Sequence, residues 1–478
     1  MKTGLLICLT TLAVLFISMG CSQAAIPAQQ PASTPVPAPT PAVETVQPDT
    51  TITIGTQANS PIRPLLGINI GPIPAGTDPR NVNLTKAYKE AGINLIRTHD
   101  YYGPMDMSVI YPDRTRDPGS LPSYNFTASD TAWKAIVDGG FEPYLRLGDS
   151  YNNSVPPDNS AERSHWAKAA IEVLRHYRMG KWGGFNTDFR YVEIWNEPDN
   201  RQFWPKPHTP LEYFQLYHET ATAIKQQFPG LKVGGPGMTP AGALTPQGKK
   251  WTQDFLESVK QQGMPLDFFS WHMYSNDPAQ YAEAARFYRS ALDAKGFTQT
   301  QLHITEWNTE IKRSQESNAE SMGLRTGGKG AAILTAAWIE LQQNNVEEST
   351  FYRGPDPDIK AETFYGIFYA DGQPKRIALA FSLWSKMALY PQRLIVSASP
   401  DRPLWLLAGR DAAGKTALLM ANTGDKPLKT GIGFTDQNKV SKITLYRVSD
   451  AINQIETISL NSPICDISAN TVQLLILD

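Results

Sequence analysis

Tyr191-Val192-Glu193-Ile194-Trp195-Asn196-Glu197-Pro198 is the stretch on which the reading of the chain turns. It is a short apolar run in which Glu193 and Glu197 fall on one face of an extended strand, since successive side chains point to opposite sides. Outward from it in both directions the same texture repeats. Short apolar runs stand at residues 67–70, 94–99, 143–147, 191–195, 232–235, 268–273, 303–305 and 349–352. Between them lie amphipathic helical stretches: Trp166, Ala169, Ala170, Val173, Leu174 and Tyr177 recur at helical spacing, and Leu84, Ala87, Tyr88 and Ala91 do so before Gly92. Eight strands separated by helices predict an α/β chain built on a (β/α)8 TIM barrel over residues 65–390.

Beyond the barrel the helical period disappears. Runs at 404–408, 416–421, 443–448 and 472–477 are separated by Gly, Asp, Asn and Pro, which predicts a β-sandwich accessory domain over residues 391–478. Residues 51–56 alternate like a strand, so the segment 51–64 is a candidate to join that sandwich. Residues 26–50 carry seven prolines among small and polar residues, and the span 22–50 reads as a Pro-rich spacer outside the fold. Lys2 and the apolar run from Leu5 to Met19, closed by Gly20 and Cys21, read as an export signal over residues 1–21. Ser18-Met19-Gly20-Cys21 resembles a lipoprotein cleavage box, which implies a lipid on Cys21 and a membrane-anchored envelope location. Ser18 stands where that box usually has leucine, which leaves plain cleavage and a secreted or periplasmic protein as the alternative. Cys465 is then the sole thiol of the folded part, so an internal disulfide is excluded.

Composition narrows the partner. The 44 basic and 46 acidic residues nearly cancel, so there is no field to hold nucleic acid. A neutral or weakly charged substrate suits this balance, and 11 Trp, 19 Tyr and 18 Phe offer faces on which sugar rings could lie.

Catalytic side chains of such a barrel sit at the carboxyl ends of its strands. The fourth run ends in Glu197, and the seventh, His303-Ile304-Thr305-Glu306-Trp307-Asn308, ends in Glu306. Two facing carboxylates are what glycoside hydrolysis requires: one donates a proton to the leaving oxygen, and the other attacks the anomeric carbon or activates water. Trp195-Asn196-Glu197-Pro198 together with Ile304-Thr305-Glu306-Trp307 resembles the retaining barrel glycosidases of clan A. Within that clan the chain is most similar to glycoside hydrolase family 39, whose members include β-xylosidases, α-L-iduronidases and exopolysaccharide hydrolases. The resemblance implies Glu197 as acid/base, Glu306 as nucleophile, Asn196 at the sugar hydroxyl beside the anomeric carbon, and neither metal nor cofactor.

Strand alternation adds supporting residues. Arg97 and His99 share a face of the second run, and Ser270, His272 and Tyr274 share a face of the sixth. Arg97 and Tyr274 could hydrogen-bond Glu306, while a role at the sugar and a purely structural role fit His99 and His272 alike. Glu193 lies deeper and reads as a structural carboxylate paired with Arg97 or Arg146, and His303 as a structural residue facing the helices. Tyr101, Tyr102, Phe203, Trp204 and Trp307 are candidate sugar platforms. Arg353, after the eighth run, is either a partner for a uronic acid carboxylate or part of a surface ion pair. Two rivals remain: a catalytically silent polysaccharide-binding lipoprotein, and an inverting hydrolase with carboxyl groups about 6.5 to 9.5 Å apart.

Overall fold

The computed structural model describes residues 47–73, 82–99, 103–151, 154–310, 315–356, 365–436, 440 and 442–477. The export signal with Cys21, nearly all of the proline-rich span, and Tyr101 and Tyr102 lie outside the described residues. Strand β1 (Thr50–Pro61) comes first, followed by eight strands that close into a parallel barrel in chain order: β2 (Gly67–Asn69), β3 (Leu95–Arg97), β4 (Glu142–Leu147), β5 (Tyr191–Ile194), β6 (Lys232–Met238), β7 (Phe268–Tyr274), β8 (Gln301–Asn308) and β9 (Glu348–Phe351). All eight barrel strands fall on the runs read from the sequence.

The intervening helices form where apolar periodicity and capping agree. The helix Ser160–Met179 starts at Asn159, whose side chain accepts from the Glu162 amide, and ends at Gly180 in a left-handed conformation. It buries Trp166, Ala169, Ala170, Val173, Leu174 and Tyr177. The helix Thr85–Ala91 stops at Gly92, where φ is 81°.

Inside the barrel, Leu95, Tyr144, Tyr191 and Phe268 form a separate apolar floor. His303 belongs to that floor. Its ring stacks on Phe268 at 4.3 Å between centroids and hydrogen-bonds the Tyr144 hydroxyl at 3.1 Å, so it faces the barrel interior and not the helices, which corrects its expected direction. Its inward side chain sets the parity of β8, and a shift in the pairing of β7 with β8, between Trp271 and His272, breaks that parity just above it. There one extra residue lets Thr305 and its neighbour Glu306 both turn inward, which strict alternation forbids.

The carboxyl-terminal strands are β10 (Gln392–Ser399), β11 (Leu404–Arg410), β12 (Thr416–Asn422), β13 (Leu428–Phe434), β14 (Ile443–Val448), β15 (Glu456–Leu460), β16 (Ile464–Ile467) and β17 (Thr471–Leu477). They form one nine-stranded sheet in the order β15-β14-β17-β12-β11-β10-β1-β13-β16, with β1 antiparallel to β10 and parallel to β13. Ile52, Ile432 and Cys465 from one end of the sheet share a core with Ile443 and Leu445 from the other, so the sheet folds over itself. Its opposite face, with Leu407, Leu419 and Leu474, joins the barrel core around Trp338 and Trp384.

Candidate active site

The acidic turn after β5 is built from unusual backbone. Alternation would send Trp195 inward beside Glu193, but Trp195 takes φ 76° and Glu197 φ 48°, a left-handed region that costs a bulky residue of order 1–3 kcal/mol. The result is that Trp195 swings onto Trp166 and Trp204 behind the strand, while Asn196 and Glu197 are aimed across the barrel mouth. Gly148 makes room for this turn, since a Cβ there would lie 2.9 Å from the Trp195 Cα. The Glu197 amide donates to the Gly237 carbonyl at 3.0 Å, which fixes the turn to the neighbouring strand β6.

Glu197 and Glu306 face one another. A carboxylate oxygen from each and one ring nitrogen of His272 all lie within 4.8 Å of one another. Their surroundings differ. Glu197 takes a hydrogen bond from Asn200 Nδ2 at 2.8 Å and lies 2.8 Å from His272 Nδ1. Burial lifts its pKa to about 7, against the opposing effects of Asn200 and Arg97. Glu306 sits among donors: Arg97 Nη1 at 3.0 Å, the Tyr274 hydroxyl at 2.8 Å and His99 Nε2 at 3.2 Å. Burial, helped by Arg146 and Arg97, pushes the His99 pKa well below its ordinary value, so His99 meets Glu306 as a neutral ring. One carboxyl is therefore held ready to carry a proton at neutral pH and the other is wrapped in groups that favour its charge.

Beneath them Arg97 is fully buried and spends its fork on four acceptors: Glu193 at 2.7 Å, Asn196 Oδ1 at 2.7 Å, Asn69 Oδ1 at 2.9 Å and Glu306. Burial works against this charge, yet Glu193 and Glu306 outweigh it and raise the Arg97 pKa above the ordinary guanidinium value. Glu193 thus pairs with Arg97, and Arg146 is engaged elsewhere, with Asp106 at 2.8 Å. Among the described residues, the buried polar atoms without a protein partner include Asn196 Nδ2, a donor, and His99 Nδ1, an acceptor when Nε2 carries the ring's proton, and a polar ligand could satisfy both.

Several expected contacts are corrected. Trp307 is 0% exposed and packs outside the barrel against Tyr281, Trp338 and Phe351, because the residue after the inward Glu306 points back to the helices. Trp204 is equally buried, against Trp195 and Tyr213, with its indole N–H on the Thr209 carbonyl. Neither can be a sugar platform. Arg353 is 2% exposed and donates through Nε to the Pro355 carbonyl, which rules out the surface ion pair. Phe203 stays near the site, its ring 6.2 Å from that of His99. Sequence reasoning missed Tyr352, whose ring lies 6.4 Å from His99 and 6.5 Å from Tyr274; its place at the end of the eighth run was the available signal. It also missed Asn200, three residues beyond Glu197 on the same turn.

The chain resembles known proteins. It is 28% identical over 259 residues to a β-xylosidase of Geobacillus stearothermophilus, an alignment covering 48% of this chain and 49% of that one. It is 26% identical over 158 residues to the α-L-iduronidase of Mus musculus, covering 33% of this chain and 24% of that one. The chain thus spans about half the length or less of these curated relatives. The crystal structure of a glucosidase from Croceicoccus marinus superposes with a TM-score of 0.72 at 24% identity, covering 90% of this chain and 98% of that one, a likeness of fold. Residues 58–322, more than half of the chain, match the family described as Glycosyl hydrolases family 39, and the chain belongs to that family.

Proposed function

We propose that this protein hydrolyses glycosidic bonds with retention of configuration, with Glu306 as nucleophile and Glu197 as acid/base. The observation that carries the reading is the approach of the two carboxylates to within 4.8 Å between oxygens, in unlike surroundings. Retaining enzymes place these groups about 5 to 5.5 Å apart, and inverting ones about 6.5 to 9.5 Å to admit a water. In the first step a Glu306 oxygen bonds to the anomeric carbon while the glycosidic C–O bond breaks, and the Glu197 proton passes to the departing oxygen. In the second, water adds to the anomeric carbon, returns its proton to Glu197 and frees Glu306. Asn196 Nδ2, held by the bond of its own carbonyl to Arg97, is the donor for the sugar hydroxyl next to the reacting carbon.

The substrate we infer is a neutral glycoside, a β-xyloside first, from an oligosaccharide or polysaccharide such as a plant xylan or a bacterial exopolysaccharide. The β-xylosidase relative supports it. Export, with a lipid on Cys21 holding the enzyme at a membrane, is proposed from residues 1–21 alone; a Cys21→Ala variant that still partitions with membranes overturns it.

The test is hydrolysis of a panel of aryl glycosides and purified polysaccharides by the wild type, Glu197→Ala and Glu306→Ala, with added azide. Azide is expected to yield a glycosyl azide of retained configuration with Glu197→Ala and of inverted configuration with Glu306→Ala. Unchanged rates in both variants overturn the assignment. Binding without any turnover by the wild type favours a silent polysaccharide-binding protein.

A further inference from the structure

Glu193 has no part in the two steps just given, yet it is fully buried four residues before Glu197 and touches both halves of the site. Its Oε2 takes Arg97 Nε at 2.7 Å, and its Oε1 takes the Thr305 hydroxyl at 2.8 Å. Thr305 is the residue immediately before Glu306, at the irregularity in β8 that turns both inward. Arg97 in turn holds Glu306 and the Asn196 carbonyl. A single buried cation is therefore shared by two carboxylates, one reactive and one not.

We infer that Glu193 is a positioning residue that divides the charge of Arg97 and so sets the balance between attack by Glu306 and its later departure from the sugar. The inference rests on the retaining reading above. Its logic is electrostatic. Burial strengthens every charge contact in this cluster. The more of the Arg97 charge Glu193 absorbs, the less Glu306 is stabilised as a free carboxylate. A less stabilised carboxylate attacks faster and leaves more slowly. Replacing Glu193 by the isosteric glutamine gives Glu306 the whole cation, so attack slows while release holds or quickens. That variant leaves Arg97 and Glu306 as a charge-balanced pair and is expected to fold. Replacing Thr305 by valine removes a donor to Glu193 and keeps every charge. Glu193 then draws Arg97 harder, and the balance shifts the opposite way.

The experiment uses the 2-deoxy-2-fluoro analogue of whichever aryl glycoside the wild type hydrolyses, and measures two rate constants. Inactivation reports formation of the Glu306–sugar ester with loss of the phenolate, and reactivation reports its cleavage by water. For Glu193→Gln the ratio of inactivation to reactivation is expected to fall about tenfold or more, and for Thr305→Val to rise severalfold. Glu193→Asp, which keeps the charge, is expected to hold the ratio close to that of the wild type. A loosened site slows both steps together; equal losses in Glu193→Gln, or a shift of the same sign in Thr305→Val, overturn the inference and leave the retaining reading intact. Should Glu193→Gln not fold, the sign in Thr305→Val decides. If the wild type hydrolyses its glycoside but forms no ester on Glu306, the retaining reading falls and the inference falls with it.

Discussion

His272 Nδ1 lies 2.8 Å from Glu197 Oε1 and 3.7 Å from Glu306 Oε2, so one ring nitrogen of β7 stands between the two carboxylates of β5 and β8. Burial lowers the His272 pKa despite the pull of Glu306, and the ring is therefore neutral near pH 7. It orients Glu197 without supplying a cation that would strip its proton. Asp199 and Thr239 close the same turn from behind, with the Thr239 amide 3.1 Å from Asp199.

As the proposed acid/base, Glu197 would have to be protonated to donate, and burial places its pKa at about 7, so kcat/KM is expected to fall as pH rises through that value. Asn200 donates to the carboxylate and favours its charged form. Removing that donor in Asn200→Ala should move the falling limb to higher pH, measured on an aryl glycoside with a poor leaving group. A limb that moves to lower pH, or stays where it was, would mean that Glu197 is not the proton donor.

Stability should carry the same signature with a definite sign. The folded chain lifts Glu197 from 4.5 to about 7, so between those values the folded state binds the proton more tightly than the unfolded one. Stability from this group is then highest at acid pH and declines as pH rises toward 7, by about 3 kcal/mol. Asp199, lifted by burial to about 6, adds slope in the same direction. Glu197→Gln removes the Glu197 share, and urea melts at pH 5 and pH 8 should show the variant gaining on the wild type at the higher pH. A constant difference between the two pH values would contradict the buried, proton-holding state of Glu197.

How much of this could be read beforehand follows from where alternation holds and where it breaks. Every barrel strand was legible as an apolar run, and Glu197 and Glu306 stood out because both end such runs. Arg97, His99, His272 and Tyr274 followed from parity along regular strands. Parity failed at two places, the left-handed Trp195 and the extra residue at Thr305, and these are the points that aim the carboxylates. Each carries an aromatic the wrong way relative to a simple count: Trp195 out onto Trp166 and Trp204, and Trp307 onto Trp338. Local backbone departures of one residue have no composition signal, so Trp307 and Trp204 read as candidate platforms while Asn200 and Tyr352 passed unnoticed. The curled single sheet of β1 and β10–β17 was legible as a β domain, but its strand order depends on long-range pairing that periodicity does not encode.

Trp307 and Tyr274 therefore make a contrasting pair. Trp307 is buried behind β8, and Trp307→Ala should cost about 3 to 5 kcal/mol of stability while leaving KM unchanged in the fraction that stays folded. Tyr274→Phe keeps the ring and loses only the hydroxyl bonded to Glu306. It should leave the melting temperature nearly unaltered and lower kcat/KM about tenfold or more. A raised KM with unchanged stability in Trp307→Ala would return that indole to the sugar.

Glu197, His272 and Glu306 offer two oxygens and a nitrogen within 4.8 Å of one another, a donor set that zinc and its neighbours accept. Zinc bonds its ligands at about 2.0 to 2.2 Å, which puts neighbouring ligands of a tetrahedral site about 3.3 Å apart, whereas His272 Nδ1 and Glu197 Oε1 stand at the 2.8 Å of a hydrogen-bonded pair. Arg97, Tyr274 and Asn200 already hold the same two carboxylates, so a cation must pull them away from those donors. Dialysis against a chelator is expected to leave kcat/KM unchanged, and millimolar zinc to inhibit competitively by occupying both carboxylates. His272→Gln should weaken that inhibition by removing the nitrogen ligand. Turnover lost on chelation and regained with one divalent ion would overturn this reading and recast Glu197 as a metal ligand instead of a proton donor.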